Sequence, residues 1–431
     1  MFGDQSRDVE RRDFIKAAVA IGGSSALSAC LDRESELMRT ETGTDSFPTG
    51  TDPASLPTRQ HAWNDYLVRN AHGNTTLPVH QLILGLSYEG STPPTDEERD
   101  QVRRALASLE RAYQWGTGGD EGTKVNGGLL SMLGYAPRYF ERVGDPVDVT
   151  PPEEVLEAVG EDPSDADGFD AVLVLSSDWG SLLLAAEQAL FGERDRLNGV
   201  SVEGTFEGVF SRAGRRSGVV GKGIVARKLD TDAVPEDAPL SMGFRSGFVD
   251  NQATEDRVTL QDGHFAGGTT MQVSRLHIDV DRWHDRSDER QVTCMFSPDH
   301  DLEQVGSNGD KLGNSSGLAP GTVDDIPEHA AEHGCIGHSQ KVATARDEDF
   351  RPRILRRSEG VATDVSSGAG FNFSSIQRTL EAFVDARTAM RPDEHDVDVP
   401  DEDHGIVDFL ETRARGTYLV PPRDKRALPT R

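Results

Sequence analysis

The order of the apolar segments between residues 81 and 191 constrains the fold of this chain more than any other feature of its sequence. Three short apolar runs of the kind that form strands lie at residues 81–86, 129–134 and 171–175. Thr95 and Glu98 have the spacing of a capping box, which predicts a helix after the first run, and residues 180–191 predict a second helix. The order strand, helix, strand, strand, helix is typical of a ferredoxin-like unit.

The second half of the chain has a similar plan. Alternation with polar residues, which is typical of a strand, occurs at Leu276, Ile278 and Val280. Residues 370–373 predict another strand, and a helix follows it. The apolar face of that helix is predicted to carry Ile376, Leu380, Phe383 and Val384. The sequence therefore predicts an α+β fold of two units, with an N-terminal half at residues 66–240 and a C-terminal half at residues 241–425.

The first thirty residues have the composition of an export signal. The pair Arg11-Arg12 precedes a weakly apolar run at residues 17–27, which is too short to span a bilayer. The run ends in Leu-Ser-Ala-Cys, the pattern of a lipobox, so Cys30 is predicted to carry a lipid anchor. We therefore expect a twin-arginine signal at residues 1–30, a flexible linker at residues 31–65, and an extracytoplasmic body held at the membrane only by this lipid.

The charge balance argues against a nucleic-acid partner. The chain has 45 Lys and Arg residues against 74 Asp and Glu residues, a formal net charge of -29, which repels a phosphate backbone. Because its apolar segments are long enough to bury a core, we attribute the acidity to a solvated surface typical of salt-adapted proteins. Cys294 and Cys335, the two cysteines besides Cys30, are predicted either to pair or to remain as buried thiols.

Two Gly-rich segments of the C-terminal half carry polar residues of complementary kinds. Residues 243–251 read Gly-Phe-Arg-Ser-Gly-Phe-Val-Asp-Asn and end with Asp250 before the final Asn. Residues 334–338 read Gly-Cys-Ile-Gly-His and end in His338. Arg356 follows within an Ile-Leu-Arg-Arg run.

These segments resemble the dye-decolourising peroxidases, a family of haem enzymes. That family carries a Gly-x-x-Asp-Gly motif, then a proximal His, and then an Arg in an Ile-Leu-Arg run, and Asp250, His338 and Arg356 take these positions in order. The resemblance covers roughly residues 75–420. It implies non-covalently bound haem b with His338 as the iron ligand, Arg356 and Phe373 in the haem site, and two ferredoxin-like units forming a dimeric α/β-barrel-type body.

The same resemblance implies a peroxidase that reduces hydrogen peroxide and oxidises a small organic donor. Peroxide cleavage at haem requires an axial imidazole, a group that moves a proton between the peroxide oxygens, and a cation that stabilises the departing charge. His338, Asp250 and Arg356 supply one each. The sequence is compatible with a monomer and with a homo-oligomer.

The register of the first motif has an alternative. Residues 243–247 also match it, which places Ser246 where the family has its Asp and leaves no distal base. In the register that uses Asp250, the Gly after the motif acid is Asn251, a residue that tolerates a left-handed backbone better than other non-Gly residues.

Two rival functions use the same region. Residues that could bind a transition metal directly lie close together at His329, His333, Cys335 and His338. The other rival is a lipoprotein of the same fold that binds haem or a metal with reduced catalysis, and the Asn251 departure favours it.

Overall fold

A closed barrel of eight strands forms the centre of the protein. The computed structural model describes residues 47–120, 126–221, 224–229, 233–362 and 369–431. In chain order the barrel strands are β1 His80–Tyr88, β2 Leu130–Tyr135, β3 Ala171–Ser177, β4 Phe210–Val219, β5 Thr269–Ile278, β6 Leu355–Ala362, β7 Ala369–Gln377 and β8 Leu410–Val420.

The barrel consists of two copies of one strand order. In the N-terminal half the order is β4-β1-β3-β2, and in the C-terminal half it is β8-β5-β7-β6, with antiparallel pairing throughout. The halves join at two antiparallel seams, where Val361 of β6 pairs with Val219 of β4 and Leu419 of β8 pairs with Tyr135 of β2. The predicted α+β class, with two ferredoxin-like units closing one barrel, is confirmed.

Helices from both halves pack against this barrel. Those of the N-terminal half are α1 Asp96–Ala112, α2 Pro137–Arg142, α3 Pro152–Ala158, α4 Gly180–Leu190 and α5 Ile224–Lys228. Those of the C-terminal half are α6 Val280–His284, α7 Asp288–Met295, α8 Leu302–Val305, α9 Ile326–His333, α10 His338–Thr344 and α11 Leu380–Thr388. Short paired strands lie at Val68–Arg69, Thr75–Thr76, Gly119–Asp120, Arg196–Leu197 and Val200–Ser201.

Local sequence signals explain the elements that were easiest to predict. The Thr95 side chain accepts a hydrogen bond from the Glu98 amide, and the Glu98 carboxylate accepts one from the Thr95 amide, so the predicted capping box begins α1. The strand β3 is buried along its whole length, as expected for a continuous apolar run. α4 buries eight of its eleven residues against the barrel and α1.

Among the elements that differ from the prediction, three show the physical reason. Val280 does not continue a strand but begins α6, because the Asp279 side chain caps that helix by accepting the Arg282 amide. Ile376 lies in β7, and the following helix begins only at Leu380. β4 is absent from the prediction because its sequence, Phe-Ser-Arg-Ala-Gly-Arg-Arg-Ser-Gly-Val, has no apolar alternation.

The segment predicted as a flexible linker, residues 31–65, is packed against the barrel at the end of its described part. Trp63 is fully buried, and Gln60 donates to the carbonyls of Leu133 and Pro421 at 3.0 and 2.8 Å. A few buried side chains in a polar stretch produce no periodic signal, so composition alone does not reveal this contact.

The predicted export signal, including the Arg11-Arg12 pair and Cys30, lies outside the described residues. Of the helices within the described ranges, none is long and apolar enough to cross a membrane. The lipid anchor at Cys30 therefore stays a prediction.

A buried ion pair at Arg357 joins the segment before the barrel to the C-terminal half. The guanidinium is 1% exposed and pairs with Glu255. It also donates to Asn64 Oδ1 and to the His61 carbonyl, each at 2.8 Å. Because removing one partner leaves a buried charge without compensation, Arg357→Ala should lower the free energy of unfolding by about 3–5 kcal/mol, measured by urea denaturation.

Arg351→Ala is the control for this prediction. Arg351 is 55% exposed and pairs with Asp347 and Asp349 at the surface, so its loss should cost only about 0–1 kcal/mol. If the two substitutions lower the free energy of unfolding equally, the buried Arg357–Glu255 pair stabilises the protein no more than a surface ion pair.

Candidate functional site

A cavity of about 310 Å³ lies between the outer face of the C-terminal barrel strands and the helices that cover them. Strand alternation decides which side chains reach it. On β5, Met271 and Val273 belong to the core inside the barrel, whereas Leu276 and Ile278 line the cavity. α10 and α11 supply the opposite wall.

Aromatic side chains make up much of the lining. They are Phe244, Phe248, Phe296, Phe371, Phe373 and Phe383. Phe371 and Phe373 stand on one face of β7 with ring centroids 6.5 Å apart and planes inclined by 22°. The predicted cofactor residue Phe373 is therefore part of an apolar, ring-lined slot, which suits a flat organic cofactor.

His338 is the first residue of α10, and its side chain lines the cavity. His338 is half-buried, and the accessible part of its side chain faces the cavity. Burial, followed by the positive charges of Arg356, Lys341 and Arg387, lowers the pKa of His338 to about 3. The ring is therefore neutral at physiological pH, the form that binds a metal ion.

The backbone around His338 is held in place by close packing and hydrogen bonds. Gly405 has a φ of +71°, and a Cβ on it would lie 3.1 Å from the His338 backbone nitrogen, so a larger residue would displace this turn. One helical turn further on, the Lys341 ammonium donates to the carbonyls of Met390 and His404, each at 2.8 Å.

Arg356 reaches the same cavity from β6. The pairing register with β7 shifts between Arg356 and Ser358, which makes Arg357 the extra residue of a β-bulge. Because successive side chains of a strand point to opposite faces, Arg356 faces the cavity while Arg357 faces Glu255 away from it. The structure brings His338, Arg356 and Phe373 together, as the sequence predicts.

The cavity is strongly cationic although the protein is acidic. Six guanidinium side chains line it, from Arg245, Arg346, Arg353, Arg356, Arg387 and Arg415. Within the described ranges no Asp or Glu is part of the lining. Such a site favours a ligand with anionic groups, since charged hydrogen bonds to carboxylates are strong.

Three of these arginines have a buried N–H group for which the described structure contains no acceptor: Arg346 Nε, Arg387 Nη1 and Arg415 Nε. Glu161, which follows α3 in the N-terminal half, lies behind two of them. It accepts hydrogen bonds from Arg387 at 2.8 Å and from Arg415 at 2.5 Å. Glu161 thus holds two cavity arginines in place without itself lining the cavity.

The Gly-rich segment that begins at Gly243 forms part of the cavity wall, but Asp250 does not. Ser246 lines the cavity. Asp250 is exposed in a short 3-10 turn, where its carboxylate accepts a hydrogen bond from Asn314 Nδ2 at 2.9 Å. The structure therefore does not bring Asp250 together with His338 and Arg356.

Backbone conformation also distinguishes the two registers of the motif. Gly247 has a φ of +82°, a left-handed conformation that favours glycine. Asn251 lies in the 3-10 turn Val249–Asn251 and is not among the described non-Gly residues with positive φ. The position after Ser246, rather than the position after Asp250, is thus the one that needs a glycine.

The histidines of the rival metal site do not converge. The His329 ring nitrogens contact Gln340 at 2.7 Å and Asp299 at 3.3 Å, away from the cavity that His338 faces. In the part of the chain that the structure describes, no group of three or more His, Cys, Asp or Glu side chains is arranged to hold a metal ion.

Cys294 and Cys335 are neighbouring buried thiols, not a disulfide. Their mutual hydrogen bond is the main cause that lowers the pKa of Cys335 to about 6 and raises that of Cys294. Arg286 donates a hydrogen bond to Cys294 Sγ at 3.0 Å.

Sequence reasoning missed the cavity arginines other than Arg356. Arg245 and Arg353 carried a signal, since Arg245 precedes Ser246 in the Gly-rich segment and Arg353 directly precedes the Ile-Leu-Arg-Arg run. Arg387 and Arg415 come from α11 and β8, and nothing in their local sequence indicates that they meet.

Comparison with known proteins identifies a family and a fold. A family model described as "Family of unknown function (DUF7405)" matches residues 78–422. No curated protein sequence matches the chain.

Similar solved structures are named as dye-decolorizing proteins. One, from V. cholerae, is 13% identical and has a TM-score of 0.50, with 82% of this chain and 97% of that chain covered. Another, a DypB variant from Rhodococcus jostii in complex with heme, is 15% identical with a TM-score of 0.50 and coverages of 83% and 98%. A third, from Bacteroides thetaiotaomicron, is 13% identical with a TM-score of 0.51 and coverages of 84% and 98%. At such identities the likeness shows the fold alone.

Proposed function

We propose that this chain, which belongs to the DUF7405 family of unknown function, binds haem b in the arginine-lined cavity and reduces hydrogen peroxide with electrons from an organic donor. Similar solved structures include a protein and a peroxidase named as dye-decolorizing, and two DypB variants in complex with heme. The similarity of fold supports the proposal, and the residues of the cavity carry it.

The single observation that carries the proposal is a neutral, half-buried imidazole in a ring-lined cavity whose described lining carries positive formal charges and no carboxylate. Haem b fits each of these features, since it has an iron atom, a flat macrocycle and two carboxylates. His338 would hold the iron, and the arginines with unpartnered N–H groups, above all Arg387 and Arg415, would bind the carboxylates. When bound, haem supplies the redox chemistry that peroxide reduction requires.

The other residues of the cavity have separable tasks. Arg356 supplies a fixed positive charge that stabilises negative charge developing on an oxygen atom. Asp250, predicted as the proton-transfer group, is outside the cavity, and the hydroxyl of Ser246 is a weak base in its place. We therefore expect haem binding to be strong and peroxide reduction to be slow compared with a site that has a carboxylate.

A second candidate function follows because the described lining of the cavity has no carboxylate, namely a haem-binding protein of this fold with little catalysis. Titration of the purified full-length chain with haem, followed by the Soret band, tests the first step, and peroxide consumption per haem tests the second. A Soret band at one haem per chain with consumption above that of free haem supports the peroxidase. A Soret band without such consumption supports the second candidate, and absence of the band contradicts both.

We further propose that the protein is exported by the twin-arginine route, remains on the outer face of the cell membrane through lipid on Cys30, and is adapted to salt. Cys30→Ala should release the folded protein from the membrane, because the lipid is its only expected anchor. Fractionation of cells into membrane and medium, followed by immunoblotting, measures this. Membrane association equal to that of the wild type would contradict the anchor.

A further inference from the structure

A second depression, a cleft of about 620 Å³, lies on the other side of α11 from the arginine-lined cavity. The beginning of α9, the ends of α10 and α11, and residues 394–397 form its walls. Ala345 and Arg353 line both the cleft and the cavity. The two spaces are therefore separated by a single layer of protein.

α11 is the main part of that layer. Asp385 and Thr388 line the cleft, while Ala386 and Arg387 line the cavity. A helix with its side chains is about 10 Å across, so a molecule in the cleft would lie within electron-tunnelling distance of one in the cavity without touching it. Arg353 closes the direct route, because it donates to the Ala345 carbonyl at 3.1 Å and pairs with Asp385 at 3.4 Å.

The charge of the cleft is opposite to that of the cavity. Its lining includes the carboxylates of Asp385, Glu394 and Asp396 and only one guanidinium, that of Arg353. Since Asp385 pairs with Arg353, Glu394 and Asp396 give the cleft its net negative charge. Burial lowers the pKa of His395, which also lines the cleft, and leaves its ring neutral at physiological pH.

The cleft also has an apolar surface, beside the hydroxyl groups of Thr344 and Thr388. It is formed by Val323, Ile326, Pro327, Ala345, Ala389 and Val397. A ligand that suits this combination has a flat or compact apolar body and a positive charge. The net charge of -29 on the whole chain also attracts cations to its surface.

We propose that the cleft binds the organic reductant of the peroxide reaction and that this reductant is a cationic aromatic amine. The proposal rests on the function proposed above. Each donor molecule gives one electron, which crosses α11 to the cavity, and releases one proton to solvent. Two such electrons, with two protons taken from solvent, convert one hydrogen peroxide to two water molecules.

The test compares 4-(trimethylammonio)aniline, a permanently cationic aromatic amine, with sulfanilate, its anionic counterpart. Glu394→Gln/Asp396→Asn removes two exposed carboxylates of the cleft, and Asp398→Asn/Glu332→Gln removes two exposed carboxylates outside it. In the haem-loaded protein the first variant should raise KM for the cationic donor about fivefold, without lowering kcat or raising KM for sulfanilate. The second variant should change neither KM.

An equal KM for the cationic donor in the two double variants and the wild type would overturn the proposal while leaving the peroxidase intact. Thr388→Trp adds an independent test, since a bulky side chain in the cleft should raise KM for the cationic donor without altering the Soret band. An unchanged KM in this variant would likewise place the donor elsewhere.

Calorimetry with the haem-free protein tests whether the cleft binds the cationic amine, independently of whether the protein binds haem and reduces peroxide. Even if no Soret band forms, weaker binding of the cationic amine by Glu394→Gln/Asp396→Asn than by the control variant supports the cleft as its binding site. Equal binding by both variants overturns that site, whatever the haem result.

Discussion

His338→Ala should abolish the Soret band of the haem-titrated protein. The imidazole is the one neutral nitrogen ligand in the described lining of the cavity, and its lowered pKa keeps it unprotonated. The aromatic slot and the arginines remain in this variant, so weak adsorption of haem should persist without the sharp band of an imidazole-ligated iron. Absorption spectra and haem titrations of the full-length chain measure this. Added imidazole should restore the band, because it can fill the space that the side chain leaves.

His329→Ala is the matched control, because His329 belongs to the rival metal site but its ring nitrogens contact Gln340 and Asp299. It should keep a normal Soret band. A band that survives in His338→Ala and disappears in His329→Ala would contradict the assignment of the iron ligand.

Hydropathy patterns predicted the strands that have apolar sequences. They did not predict strands whose charged side chains form ion pairs with another element. β1 to β3 have continuous apolar runs, and all three were predicted. β4 presents arginines to α4 instead, where Arg212 and Arg215 pair with Glu187 at 3.2 and 3.1 Å. These ion pairs produce no periodic pattern in the sequence of β4, because the partner residue lies on another element. The similar succession of predicted strands and helices in the two halves was nevertheless enough to predict the fold class.

Site residues that belong to motifs with a fixed spacing could be predicted from the sequence. Site residues whose position depends on the local backbone conformation could not. His338 begins α10, and Arg356 is the second residue of β6, the strand that follows α10 in the chain, so their fixed spacing brings both to the same cavity. Either Ser246 or Asp250 could have faced the cavity. The left-handed conformation of Gly247 determines which of the two side chains does so. Side chains from distant elements, such as Arg415 of β8, could be recognised only after folding.

Ser246→Asp should raise the rate of peroxide reduction by about 100- to 10,000-fold, the usual contribution of a positioned proton-transfer group. Ser246 lines the cavity, which has no carboxylate in its described lining, and Arg245 and Arg356 also line it. Neighbouring guanidinium groups would lower the pKa of the new carboxyl and keep it ionised, as a base must be. Stopped-flow measurement of peroxide consumption, normalised to haem content by the Soret band, gives the rate.

Asp250→Asn and Ser246→Asn complete this comparison. Asp250 is exposed and bonded to Asn314, so its substitution should leave the rate within about twofold. Ser246→Asn changes the size at position 246 without supplying a base, and should not reproduce the gain. A rate that collapses in Asp250→Asn and does not rise in Ser246→Asp would mean that Asp250 turns into the cavity when haem binds. A gain in Ser246→Asp alone would mean that this chain keeps the iron ligand and the cation of a peroxidase but has a hydroxyl where proton transfer needs a carboxylate.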